Sequence, residues 1–272
     1  MSTRALVVLI AVLAAGARLA AHDFWLAAAP WVVAEPRRLV VTANVGEHFP
    51  RADSPTTADR IDVWRVIGAD GELTMPREFH MEGQSVAAAV TLPAPGSYLG
   101  VMTIKAREIE MTGQEFTDYL REEGLDQIIS TRKASGQDSA PALERYARYA
   151  KLVVRNGGGD GAHLTRPIGL KAEMVPTRDP SSLRPGDSLT VRLLVDGRPV
   201  EGALITARPA ARSPGGRIDV RTDAEGRVTL ALPESGPWLL RTVHMAKPQE
   251  AGSPPADWES YWVTLAFHVT EG

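Results

Sequence analysis

From residue 170 to the end of the chain, runs rich in β-branched and aromatic residues recur at 170–175, 188–195, 203–208, 218–222, 227–232, 238–245 and 261–269. About seven strands over roughly 100 residues constrain the fold severely: strands this short bury one face each, and two stacked sheets of the immunoglobulin-like kind cover those faces. The intervening turns agree. Asp196-Gly197-Arg198-Pro199-Val200, Asp223-Ala224-Glu225-Gly226 and Glu234-Ser235-Gly236 each put a glycine where a tight reversal needs a positive φ.

The first half repeats the theme less regularly. Strand-like runs at 39–45, 60–67, 86–92 and 97–105 are separated by Gly68-Ala69-Asp70-Gly71 and Pro93-Ala94-Pro95-Gly96, the pattern of a β-sandwich meander. With 20 prolines and 24 glycines the chain has the turn content that an all-β fold requires. Residues 112–150 break the pattern. Phe116, Tyr119 and Leu120, then Leu125, Ile128 and Ile129, then Leu143, Tyr146 and Ala147 or Ala150 recur at helical spacing, which predicts an insertion of two or three short helices before β structure resumes at 151–155. The glycine-rich stretch 156–161 lacks the Gly-Lys-Ser/Thr ending of a phosphate loop and reads as a linker. The expected organisation is a mainly β chain of two β-sandwich domains. The first covers residues 22–160 and carries the helical insertion at 112–150; the second, immunoglobulin-like, covers 165–272.

Residues 1–21 read as a signal peptide. Arg4 supplies a positive start, the apolar run 5–15 is too short to span a bilayer, and Leu19-Ala20-Ala21 and Ala15-Gly16-Ala17 are two candidate cleavage ends. The expected location is therefore periplasmic or otherwise secreted. A cut after Ala21, favoured by the ordinary length of the 16–21 region, makes His22 the first residue of the mature chain. Its free amine and its Nδ1 could then close a chelate ring on a nickel, cobalt, copper or zinc ion. A cut after Ala17 removes that option.

Composition narrows the alternatives. The formal charge is −3, and loss of Arg4 and Arg18 with the leader makes the mature chain more acidic, so nucleic acid is not an expected partner. No cysteine is present, which excludes disulfide-linked partners, thiolate metal sites and cysteine nucleophiles. Serine–histidine–acid ordering around a nucleophile motif, H-E-x-x-H and the dinucleotide fingerprint are also missing, so a hydrolase or dehydrogenase has no support.

Other ligands must then be histidines and carboxylates. Gly46-Glu47-His48-Phe49-Pro50 follows a strand and places an imidazole beside a carboxylate. His244 ends a strand at the sandwich rim. Glu259 lies in Asp257-Trp258-Glu259-Ser260-Tyr261-Trp262, to which the chain returns through a proline- and glycine-rich segment, so His244 and Glu259 are expected near one another. His80 has no second ligand near it in sequence, His163 is expected to be solvated, and His268 is expected to point outward from its strand.

These segments carry a family resemblance. His22-Asp23-Phe24-Trp25-Leu26 after a signal peptide, the Glu47-His48 loop, Glu144-Arg145-Tyr146-Ala147-Arg148-Tyr149-Ala150-Lys151, Thr222-Asp223-Ala224-Glu225-Gly226, Val243-His244-Met245 and Trp258-Glu259-Ser260-Tyr261-Trp262 together resemble the periplasmic NikK-like family associated with nickel and cobalt uptake transporters. The resemblance implies an extracytoplasmic protein, not an enzyme, that binds a divalent metal and passes it to a metal-uptake membrane permease. His22 is the first ligand by the family's motif, with His48 and His244 next. The expected metal site joins His22 to His48 or His244, with Glu47 or Glu259 as a carboxylate donor. Nickel or cobalt is the expected ion, although copper binds such a nitrogen and oxygen set more tightly. Affinity should fall below about pH 6 as protons compete for imidazole. Two other classes remain open: a copper-dependent oxidative enzyme using an N-terminal histidine brace, and a metal-free structural or adhesion module.

Overall fold

The computed structural model describes residues 22–33, 38–159, 161–210, 216–248 and 256–271. The expected signal peptide at 1–21 and both of its cleavage sites lie outside them. The chain runs through β1 (Asp23–Ala29), β2 (Val32–Val33), β3 (Arg38–Gly46), β4 (Ile61–Gly68), β5 (Gly71–Leu73), β6 (His80–Glu82), β7 (Ser85–Thr91) and β8 (Gly96–Met111) to a helical hairpin, α1 (Gly113–Glu122) and α2 (Asp126–Ala134). It continues with β9 (Ala142–Asn156), β10 (Ala172–Pro176), β11 (Ser188–Val195), β12 (Arg198–Pro199), β13 (Leu204–Pro209), β14 (Ile218–Arg221), β15 (Arg227–Ala231), β16 (Gly236–Ala246) and β17 (Trp258–Val269). Among the described residues no helix is long and apolar enough to cross a membrane.

The fold is a mainly β sandwich in three layers. A central sheet in the order β14-β13-β16-β17-β9-β8-β4-β5 lies between a sheet ordered β1-β3-β7-β6 and one built on β10-β11-β12, with β15 paired to β11. The expected boundary at 160–165 falls between β9 and β10, while β17, from the far end of the chain, pairs in parallel with β9. The two stacks therefore share one sheet, and the alternation of its strands shows how. Tyr98, Met102, Leu152 and Val154 turn into the core against the first sheet, whereas Leu99, Val101 and Val153 turn into the core against the third. Strands buried on both faces read as near-continuous apolar runs, as 98–104 and 150–154 do.

The helical insertion is shorter than expected. Thr112 caps α1, accepting from the Glu115 backbone N–H while the Glu115 carboxylate accepts from Thr112 N at 2.9 Å. The helix ends at Gly124, φ +66°, where Leu125 N–H reaches back to the Leu120 carbonyl at 2.8 Å. Phe116, Tyr119, Leu120, Leu125 and Ile128 bury one face against Val243, Met245, Trp258 and Trp262 of the central sheet, with Tyr119 stacked on Trp262 at 5.9 Å. The hairpin thus lies on the same side as the first sheet, next to it. The third expected helical segment is a correction: Leu143, Tyr146 and Ala150 belong to strand β9. In the strand Tyr146 and Ala150 share one face and Leu143 takes the other, and pairing with β8 on one edge and β17 on the other satisfies the backbone of this segment.

Candidate functional site

Strand register builds the site. Asp23 pairs with Gly46 and Phe24 with Val45, so the opening pentapeptide and the Glu47-His48 loop, far apart in sequence, meet at one corner of the first sheet. Phe24, Trp25 and Leu26 are buried and anchor β1, with Trp25 edge-on to Phe49 at 5.9 Å. His22, one residue beyond the pairing, therefore lies across from Glu47. Its Nε2 is 3.6 Å from Glu47 Oε1, and both ring nitrogens are 3.5 Å from Ser54 Oγ.

The loop after β3 is held by Asp53. Its carboxylate accepts from Glu47 N at 3.1 Å and lies 2.8 Å from His48 Nδ1. An added Cβ at Gly46 would sit 2.3 Å from Asp53 Oδ1, so only glycine lets this carboxylate approach. Desolvation raises the Asp53 pKa, but the hydrogen bonds from His48 and Glu47 and the nearby His22 together outweigh it and hold the group below the usual carboxylate value. An ionised Asp53 can only accept, so this bond places a proton on His48 Nδ1, and in the neutral imidazole Nε2 then carries the free lone pair, the arrangement that orients histidine ligands.

Beneath this corner is a chain of charges that reaches the helical hairpin. Asp23 Oδ1 accepts from Arg241 Nε at 2.5 Å, and Arg241 Nη2 donates to Glu123 Oε2 at 2.7 Å; all three side chains are buried. Arg208 lies 3.7 Å from Asp23 and donates to the Glu47 carbonyl at 3.2 Å. Glu47, His48, Glu122, Glu123, Arg208 and Arg217 surround a cleft of about 350 Å³ above these groups. The residue after His22 is thereby tied to the central sheet.

Burial, opposed by Arg241 and reinforced by the Asp23 charge, raises the Glu123 pKa to about 7. A carboxyl whose folded pKa exceeds its unfolded value stabilises the protein below the unfolded pKa, and that stabilisation is lost as pH rises through the folded one. Glu123→Gln should therefore remove a decline in stability of up to roughly 3 kcal/mol between about pH 4.5 and 7. Urea unfolding across that range checks this; an unchanged pH slope in the variant would refute it.

The other expected ligands stand elsewhere. His244 and Glu259 do not approach His22. Arg241 and Thr264 turn toward Asp23 and Phe24, so β1 packs over one face of the central sheet. His244 and Glu259 belong to the opposite residue parity of β16 and β17, and their side chains emerge on the other face. His244 stacks on Tyr261 with ring centroids 6.4 Å apart, and the Tyr261 hydroxyl donates to Glu259 at 3.0 Å, so these two are neighbours through a tyrosine, as the sequence suggested. Burial lowers the His244 pKa. His80 is exposed on β6. His163 and His268, expected in solvent, are half-buried, with Nε2 of the first and Nδ1 of the second enclosed without a partner. His268 leans on Trp31, which sequence alternation could not reveal.

Sequence reading missed Asp53, Ser54, Arg208, Arg241 and Glu123. One of them carried a signal: Arg241 interrupts the apolar run of β16 while Asp23 heads the apolar run of β1, and charges on such buried strands require one another. Among the described residues no group of three or more histidine, cysteine or acidic side chains is gathered to hold a metal ion. The donors stand as two pairs, His22 with Glu47 and His48 with Asp53.

Comparison with solved structures gives only remote similarity. The Bacillus anthracis TIE protein is 10% identical with a TM-score of 0.16, over 92% of this chain and 39% of the other. Sidekick-1 immunoglobulin domains 1–4 are 10% identical with a TM-score of 0.16, over 86% of this chain and 57% of the other. The chain thus spans less than two thirds of either, and likeness at this level carries no argument. No curated relative matches. A family model does match, over residues 19–246, which takes in the whole corner, the helical hairpin and the Arg241 strand. The chain belongs to the family described as Domain of unknown function (DUF4198).

Proposed function

We propose that this protein binds a divalent metal ion outside the cytoplasm as cargo, nickel or cobalt first, and delivers it to a membrane permease, as the NikK-like resemblance implies. The observation that carries the reading is the register pairing that sets His22 across from Glu47 at 3.6 Å, with His48 in the same loop. Two pairs of donors are too few for a firm site by themselves. Cleavage after Ala21 adds the missing donor, the amine of His22, which turns one imidazole ligand into a chelate. Glu47 then supplies an oxygen, and His48 presents its Nε2 while Asp53 holds the other side of the ring. Nitrogen and oxygen donors of this kind suit nickel, cobalt and copper. His244 and Glu259 take no part, because they emerge on the far face of the central sheet.

The test is isothermal titration of the exported, processed protein with nickel, its N-terminus fixed by intact mass spectrometry. Binding should be lost or weakened by at least about a hundredfold in His22→Ala, weakened about tenfold to a hundredfold in Asp53→Asn through loss of the orienting bond, and unaffected in His244→Ala. Absence of binding, or equal affinity in His22→Ala, would overturn the proposal. Oxygen-dependent peroxide production by the copper-loaded protein, lost with His22, would replace it with the oxidative enzyme reading.

A further inference from the structure

On the other side of the loop after β3 lies a second cleft, of about 220 Å³, lined by Val45, Pro55, Thr56, Thr57, Ile104 and three arginines, Arg60, Arg107 and Arg148. No carboxylate lines it. Arg60 Nε and Nη2 and Arg148 Nε are shut off from solvent without any hydrogen-bond acceptor. That is an unusual state for guanidinium groups, which carry five donors, remain charged at any physiological pH and are seldom enclosed unpaired. Arg148 is fixed in position: its guanidinium lies 5.2 Å from the Tyr146 ring centroid and 6.0 Å from that of Trp262. Asp59, the nearest acid in sequence to Arg60, is exposed and turned to Thr57, while Lys105 bonds to the Asp59 carbonyl and adds another positive charge nearby.

From the convergence of three guanidinium groups, those of Arg60 and Arg148 with enclosed donors that lack an acceptor, on a cleft lined by no acid, we infer a binding site for a doubly charged tetrahedral oxyanion, phosphate or sulfate. Such an anion accepts from several guanidinium donors at once, and charge-assisted bonds of this type are the strong ones. It would also neutralise the mutual repulsion of the arginines. Burial, joined by the Arg60 charge and opposed by Tyr146 and Asp23, lowers the Arg148 pKa. The site does not depend on the metal reading, since it shares none of the proposed ligands. It does share their loop: Val45 and residues 55–57 form its wall, whereas Glu47, His48, Asp53 and Ser54 face the other corner.

Titration of the processed protein with inorganic phosphate and with sodium sulfate at fixed ionic strength tests the site, with citrate as the tricarboxylate comparison and chloride as the blank. Phosphate or sulfate should bind and raise the unfolding temperature above that in chloride. Arg60→Gln combined with Arg107→Gln should weaken binding about tenfold to a hundredfold, and Arg65→Gln, which pairs with Glu72 on the outer surface, should leave it unchanged. If the double variant does not fold, the exposed Arg107→Gln alone should still weaken binding. No difference between phosphate, sulfate and chloride overturns the inference. So does binding that survives loss of the arginines, or binding of citrate in place of the tetrahedral anions.

Discussion

Lys151→Met is expected to destabilise the protein by about 3–5 kcal/mol, the cost of leaving a buried charge without its partner. Lys151 is 2% exposed, in the core between the central and third sheets, where its ammonium donates to Glu173 Oε2 at 2.5 Å and to the Met174 carbonyl at 3.1 Å. Burial lowers the Lys151 pKa, and Glu173 pulls it back. Glu173 is not free to change partners, because it also accepts from the backbone of Ile168 at 3.1 Å and Gly169 at 3.0 Å, fixing the approach of the chain into β10. The pair is therefore a joint between β9 and β10, the strands on either side of the expected linker. Adding Glu173→Gln to Lys151→Met should recover part of the loss, since an amide carbonyl keeps one acceptor for those backbone groups and removes the uncompensated charge. Urea unfolding midpoints with unchanged slope measure both variants. A single variant within about 1 kcal/mol of the parent would show that the interior here is wetter than its burial implies.

The sequence shows the class of the fold clearly and its layering poorly, for a physical reason. Alternation reports that a strand has two unlike faces, and it correctly marks most strands of both halves. It cannot report that 98–104 and 152–154 are buried on both faces because each face meets a different sheet. Nor does it reveal partners, so the parallel match of β17 to β9, which joins the two stacks, leaves no local trace. The same gap explains residues 143–150: Leu143, Tyr146 and Ala150 fit a helical spacing, and only pairing on both edges selects the strand. At the candidate site, His22, Glu47 and His48 are legible as chemical types. Their meeting follows from a register that begins at Asp23 and Gly46, which nothing local encodes. His244 and Glu259 were legible as neighbours of each other, but which face of the sheet they occupy depends on what packs over β16 and β17.

Arg241→Met should cost about 3–5 kcal/mol at neutral pH and should depend on pH in a way that separates it from simple core damage. Arg241 is the shared partner of Asp23 and Glu123, at 2.5 and 2.7 Å, and without it two buried carboxylates face one another, with Arg208 3.7 Å from Asp23. Glu123 then favours the protonated form more strongly than before, since desolvation and the facing Asp23 charge each disfavour its charged state. In the parent protein Glu123 already has a pKa of about 7, so its ionisation weakens the fold as pH rises toward that value. Removing Arg241 extends this loss to higher pH and enlarges it. The variant should therefore be least stable near pH 8 and regain part of its deficit near pH 5, whereas a cavity defect costs the same at both. The same substitution bears on function. Arg241 is what holds Asp23, and Asp23 fixes the end of β1 from which His22 projects toward Glu47. If His22 acts as a chelate placed by this strand, the folded Arg241→Met protein at pH 6–7 should bind nickel more weakly although no proposed ligand has been altered. Unchanged affinity would mean that the register of β1 with β3 alone positions the histidine.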